Sequence, residues 1–103
     1  MRMTFDYELT LISERYEEDE IGNMVPVETK QVILCNIKSV KSSEFYNAAN
    51  TGLKPEKVFV VHPFEYGDEK LIEFEGKKYS VIRTYQTGLE EIELTCERVI
   101  GNG

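Results

Sequence analysis

"LIEFEGKKYSVIRTY", residues 71–85, decides the fold. Apolar and polar side chains alternate on both sides of Glu75-Gly76, and a period of two belongs to strands. The stretch reads as a hairpin with its turn at "EGKK" (75–78), although Glu-Gly is a weaker turn signal than Asn-Gly or Asp-Gly. Tyr79, Val81, Arg83 and Tyr85 alternate with Ser80, Ile82 and Thr84. "TGLEE" (87–91) then turns the chain into another strand, "IELTCERVI" (92–100), and "GNG" ends it as a fraying tail.

The same period runs backwards from this hairpin. "EKVFVVHPF" (56–64) is a strand ended by Pro63, and "YGDEK" (66–70) is a turn. "VETKQVILCNIKSV" (27–40) is a long strand. Val27, Ile33, Cys35 and Ile37 share one parity, while Val32, Leu34 and Val40 take the other. That strand is either covered on both faces or kinked by a bulge near its middle. "FDYELTLIS" (5–13) puts Phe5, Tyr7, Leu9 and Leu11 on one face. Between these two strands, "ERYEEDEIGNMVP" (14–26) reads as a long hairpin loop or mobile tip, with Glu17, Glu18, Asp19 and Glu20 held in water by mutual repulsion.

The expectation is a single domain over 1–103, mainly β, with about six strands in an antiparallel meander. Closing it into a small barrel removes the exposed edges. Tyr7, Tyr79 and Tyr85 share parity with apolar neighbours and are expected in the core, hydroxyls at its rim.

One segment breaks the period. In "SSEFYNAAN" (42–50), Phe45, Ala48 and Ala49 recur at helical spacing. Ser42 or Ser43 can cap the start, Glu44 suits the positive end, and Gly52 fits the position just past the end, with Pro55 beyond. Two turns of helix are marginal in water, so the order of this segment must come from what it packs against. Tyr46 beside Phe45 gives so short a helix two large aromatics, to be packed on the parent barrel or on another subunit.

Composition bounds the function. The chain is 41% hydrophobic and 30% charged, which is the balance of a soluble globular domain. Its net charge of -7 argues against a free-standing nucleic-acid binder, which needs a basic face to displace counterions from phosphates. Cys35 and Cys96 sit on strand patterns among apolar neighbours and read as buried core thiols in a reducing, cytoplasmic setting. Residues 1–12 alternate rather than form the apolar core of a signal peptide, and no apolar run is long enough to span a membrane.

Motifs for chemistry are absent. His62 stands alone at a strand end, with no serine or cysteine signature tied to it. Two separated cysteines and one histidine do not match zinc spacings, and the carboxylates at 17–20 lack the ligand spacing of a calcium loop. The glycines are scattered singly, as turn residues rather than a phosphate cradle. No enzymatic activity, cofactor or metal is expected.

Two stretches, "KSSEFYNAANTGLKPEKVFVV" (41–61) and "FEGKKYSVIRTYQTGLEEIELTCE" (74–97), resemble the small head–tail joining proteins of tailed bacteriophages and prophages. These are also called head closure, head-completion or stopper proteins. The opening "YELTLIS", with an acidic loop ending in "GNMVPV", is similar to the first hairpin of that family. "SEFYNAANTGLKPE" is the most specific part.

The resemblance implies a non-enzymatic structural protein of the virion neck, assembled in the host bacterial cytoplasm. It implies a small β-barrel with a long insertion between two strands. Copies would form a ring, a dodecamer in the family, below the portal and its adaptor protein. That ring closes the DNA-filled head and docks the tail through a tail-completion or tail terminator protein. Packaged DNA is retained or passes through without sequence-specific binding, and no membrane is involved. The family's insertion projects toward the channel as part of a gate. The matching residues here are Ser43, Glu44, Phe45, Tyr46, Asn47, Ala48, Ala49, Asn50, Thr51, Gly52, Leu53, Lys54 and Pro55. Phe45 and Tyr46 would pack between neighbouring protomers in the closed channel, and Gly52 would supply backbone freedom for a swing. The alternative from pattern alone is a small monomeric OB-like barrel that binds nucleic acid or oligosaccharide on an aromatic or basic sheet face.

Overall fold

The structure is a computed structural model that describes residues 5–43 and 50–100. Six strands account for most of them: β1 (Tyr7–Glu18), β2 (Met24–Lys38), β3 (Pro55–Val61), β4 (Leu71–Phe74), β5 (Lys77–Gln86) and β6 (Ile92–Arg98). They close into a barrel in the order β1-β2-β3-β6-β5-β4, and every neighbouring pair is antiparallel.

The order corrects the expected meander. β3 pairs with β6, and β4 returns to pair with β1. The segment 62–70 carries the chain past two strands, so β3 to β6 form a Greek key. Pro63 makes this possible: it cannot continue a ladder, and it opens a 3-10 turn over Pro63–Glu65. Beyond that turn, Tyr66 is buried in the core and its hydroxyl donates to the Glu69 carbonyl at 2.7 Å. Its phenol is pushed up to about 12 by burial first, then by the nearby Asp68 and Glu69 carboxylates and the Cys96 thiol.

Each strand contributes two inward positions, spaced by two, to one core. Leu9 and Leu11 face Ile33 and Cys35, followed around the barrel by Phe59 and Val61, Leu94 and Cys96, Val81 and Tyr79, and Ile72 and Phe74. Phe59 lies 5.2 Å from Phe74 and 5.5 Å from Tyr79, centroid to centroid, so three rings fill the middle. The interior is packed side chain, as in other small barrels. Both cysteines are free and buried.

Of the three tyrosines expected inside, only Tyr79 is. Its phenol is held above its ordinary range by burial and by the Glu56 carboxylate it meets at the rim. Tyr85 is 56% exposed because a register shift between Val81 and Arg83 inverts the parity of β5 beyond it. Past that bulge Thr84, not Tyr85, stands opposite the buried Leu94. Tyr7 occupies the first position of β1 at the barrel mouth. Its ring meets Phe74 edge-on at 6.2 Å and is otherwise half exposed.

Among the described residues there is almost no helix. Ser42 and Ser43 have helical backbone, at the start of the segment expected to be helical. Glu44, Phe45, Tyr46, Asn47, Ala48 and Ala49 lie outside the described residues. Gly52 takes φ +81°, the left-handed conformation expected of a glycine just past a helix end.

Candidate functional site

The largest departure from the sequence reading is at 14–26. This stretch is not a loop: β1 and β2 stay paired without a register shift from Tyr7–Cys35 to Glu18–Met24. β4 joins β1 only at Thr10–Ile12, and β3 joins β2 only at Asn36–Lys38. Beyond those ladders the hairpin leaves the barrel as a two-stranded arm. Six residues of β1, Ser13–Glu18, make it about 20 Å long at the usual strand rise. The protein is accordingly elongated, 53 × 33 × 23 Å, with a radius of gyration of 15.4 Å against about 13 Å for a compact domain of this length.

The tip is a built turn. Asp19 Oδ1 accepts from the Ile21 and Asn23 amides at 3.0 and 2.8 Å. Gly22 N–H donates to the Asp19 carbonyl at 3.2 Å, and Asp19 N–H donates to the Asn23 carbonyl at 2.9 Å. Gly22 sits at φ +89°. This is the three-residue hairpin loop in which a type I turn is followed by a left-handed residue. The sequence signal is Asp19 and Gly22 at that spacing, between "SERYEE" and "MVPVET". The run of carboxylates masks it, because repulsion along a strand is tolerated when both faces are in water.

The arm has two unlike faces. One carries Tyr16 opposite Pro26 and Glu18 opposite Met24, with Glu14 opposite Glu28 below them. Tyr16 and Met24 are 62% and 61% exposed. The other face carries Val25 and Val27 beside an Arg15–Glu17 ion pair at 2.7 Å.

β2 shares the first face farther down. Val32 and Leu34 have the parity of Met24 and Pro26 and point outward from the barrel, at 61% and 50% exposure. Neither expectation for the middle of this strand holds, since no bulge interrupts it and no layer covers its outer face among the described residues. β3 contrasts with it. The Lys38–Glu93 ion pair, 2.8 Å, spans its outer face, and Val58 and Val60 are buried there. The long stems of such side chains cover apolar surface while their charged ends stay wet. From Met24 to Leu34 the far edge of β2 also has no strand beside it among the described residues. Pro26, Glu28 and Lys30 on that edge are the usual guards against indiscriminate pairing.

The described part of the expected gating segment is Ser43 and 50–55. Asn50, Thr51 and Gly52 form an exposed turn, Leu53 and Lys54 are exposed, and Pro55 is buried as the first residue of β3. These residues belong to the connection between the end of β2 and the start of β3.

His62 stacks between Phe5, 4.1 Å away, and Phe64, 5.2 Å away, and its Nδ1 lies 3.1 Å from the Glu90 carbonyl. A carbonyl only accepts, so Nδ1 carries the proton. Two aromatic rings and a backbone carbonyl are the contacts of this imidazole among the described residues, the surroundings of a packed, half-buried histidine. Burial pushes the Cys35 and Cys96 thiols up to about 12, which removes them as nucleophiles near neutrality. Among the described residues no group of three or more histidine, cysteine or carboxylate side chains converges to hold a metal ion. No helix among them is long and apolar enough to cross a membrane.

The class defined by this geometry is a small closed antiparallel barrel with a projecting acidic hairpin and an uncovered apolar strand face. No protein-family model matches the chain, and no curated protein matches it.

Proposed function

We propose that this chain is a structural protein of the phage or prophage neck, which forms a ring below the portal and adaptor, closes the DNA-filled head and docks the tail. The observation that carries the reading is surface chemistry. An acidic barrel leaves Val32 and Leu34 uncovered on one strand and Tyr16 and Met24 uncovered on an arm. Apolar surface arranged in patches rather than scattered singly belongs to proteins that are covered by partners. The acidic balance suits a conduit, because walls that release few counterions let DNA pass without gripping it. The long connection between the end of β2 at Lys38 and the start of β3 at Pro55 is the element that would reach the channel. Phe45 and Tyr46 would pack between protomers when it is closed.

The test is to mix the purified protein with purified portal–adaptor complexes and image the particles. Added ring density below the adaptor is expected; bare complexes at saturating protein would overturn the reading. Phe45→Ala with Tyr46→Ala should leave the ring intact and let filled heads lose DNA. Retention equal to the parent would refute the gating role.

A further inference from the structure

The arm and a groove across β4, β5 and the end of β6 are chemically complementary. On the arm, residues 13–31 carry six carboxylates, Glu14, Glu17, Glu18, Asp19, Glu20 and Glu28, against two cations, Arg15 and Lys30. Both cations have carboxylate partners within the arm itself, Glu17 and Glu28. The face bearing Tyr16, Pro26 and Met24 is therefore an apolar centre with an acidic rim, the composition of an interface core with its border. Two arms cannot seat on one another without like charges meeting.

Along the side of the barrel, from Leu71 beside Ile12 to the β4–β5 turn, a groove is lined by Leu71, Lys77, Lys78, Arg98 and Val99, with Glu73 its one carboxylate. Val99 N–H donates to the Lys78 carbonyl at 2.9 Å, which ties the backbone at the end of β6 to β5, and Lys77, Lys78 and Arg98 line the groove with Leu71 and Val99. This groove is an apolar floor with a basic rim.

We propose that the arm of one copy seats in this groove of a second copy, with Tyr16 and Met24 on Leu71 and Val99 and with Glu14, Glu18 and Glu28 facing Lys77, Lys78 and Arg98. The contact is heterologous, so repeated copies either close into a ring or extend as a filament. It deepens the ring reading above and rests on that reading for closure. One arm face is small beside the roughly 800 Å² per partner of a stable interface, so a single contact is weak and salt-sensitive.

The test uses the full-length chain. Sedimentation at rising concentration in low salt should show self-association that added salt reverses. Glu14→Lys with Glu18→Lys, and separately Lys77→Glu with Lys78→Glu, should each weaken it by about tenfold or more, since facing like charges repel. Mixing the two variants should restore association, because each arm then meets a groove of opposite charge. Tyr16→Cys with Lys78→Cys in one chain should give a ladder of disulfide-linked oligomers on mild oxidation. A parent that stays monomeric, variants that associate as the parent does, or a mixture that fails to recover would each overturn the contact. The two ideas can fail separately. A ladder without density on portal–adaptor complexes would sink the neck reading alone, and rings there that survive both charge reversals would sink the arm contact alone.

Discussion

Alkaline stability isolates the two buried thiols. Cys35 and Cys96 are fully shielded in the core and have thiols pushed up to about 12, whereas an unfolded chain ionises them near 8.5–9. Below pH 8 both states keep the protons and the thiols add no pH dependence. As pH rises through 9, the unfolded state releases protons that the folded state holds, so unfolding becomes easier. The slope is about 1.4 kcal/mol per pH unit for each thiol until the folded thiols ionise near 12. At pH 10 the pair should have lost about 3–4 kcal/mol, a large share of the ~5–15 kcal/mol that holds a domain together. Tyr66 adds the same sign only above pH 10. The assay is urea unfolding from pH 7 to 10 under reductant, parent against Cys35→Ala with Cys96→Ala. The variant starts less stable because of the cavities it leaves, but its curve should be flatter by about 3 kcal/mol across the range. Parallel curves within 0.5 kcal/mol would refute the claim that these thiols stay neutral in the folded core.

The other expectations concern turns. Glu75 and Gly76 both have positive φ, +51° and +77°, as a two-residue type I′ hairpin requires. Glu75→Asn should raise stability by about 0.5–1 kcal/mol, and Gly76→Ala should lower it by about 1–2 kcal/mol although nothing crowds the added carbon, both read as shifts in the urea midpoint. At the arm tip, Asp19→Ala removes the Oδ1 that accepts from two amides and should speed hydrogen exchange at Ile21 and Asn23 while core amides stay protected. Equal loss of protection in the core would show that the arm and barrel unfold as one unit.

Much of this molecule is legible in the residues. A period of two in 5–13 and 71–85 points to strands, because successive side chains of a strand face opposite sides of the sheet. The unbroken "VFVV" requires a strand buried on both sides, as β3 is. Cys35 and Cys96 read as core from their neighbours, and Pro63 ends β3 because a proline cannot donate to the ladder. Three-dimensional closure decided the rest. Pairing partners are set by how the sheet closes on itself, and here β3 lies on β6 while β4 lies on β1. One bulged residue in β5 sends Tyr85 outward, and periodicity cannot register it, since the apolar pattern on either side stays intact. The arm is the clearest case. Its acidic sequence says only that it is wet, while the short ladders from β3 and β4 determine where the hairpin leaves the barrel and exposes Tyr16 and Met24. Local sequence sets what each residue tolerates; only the closed sheet sets which residues are left without cover.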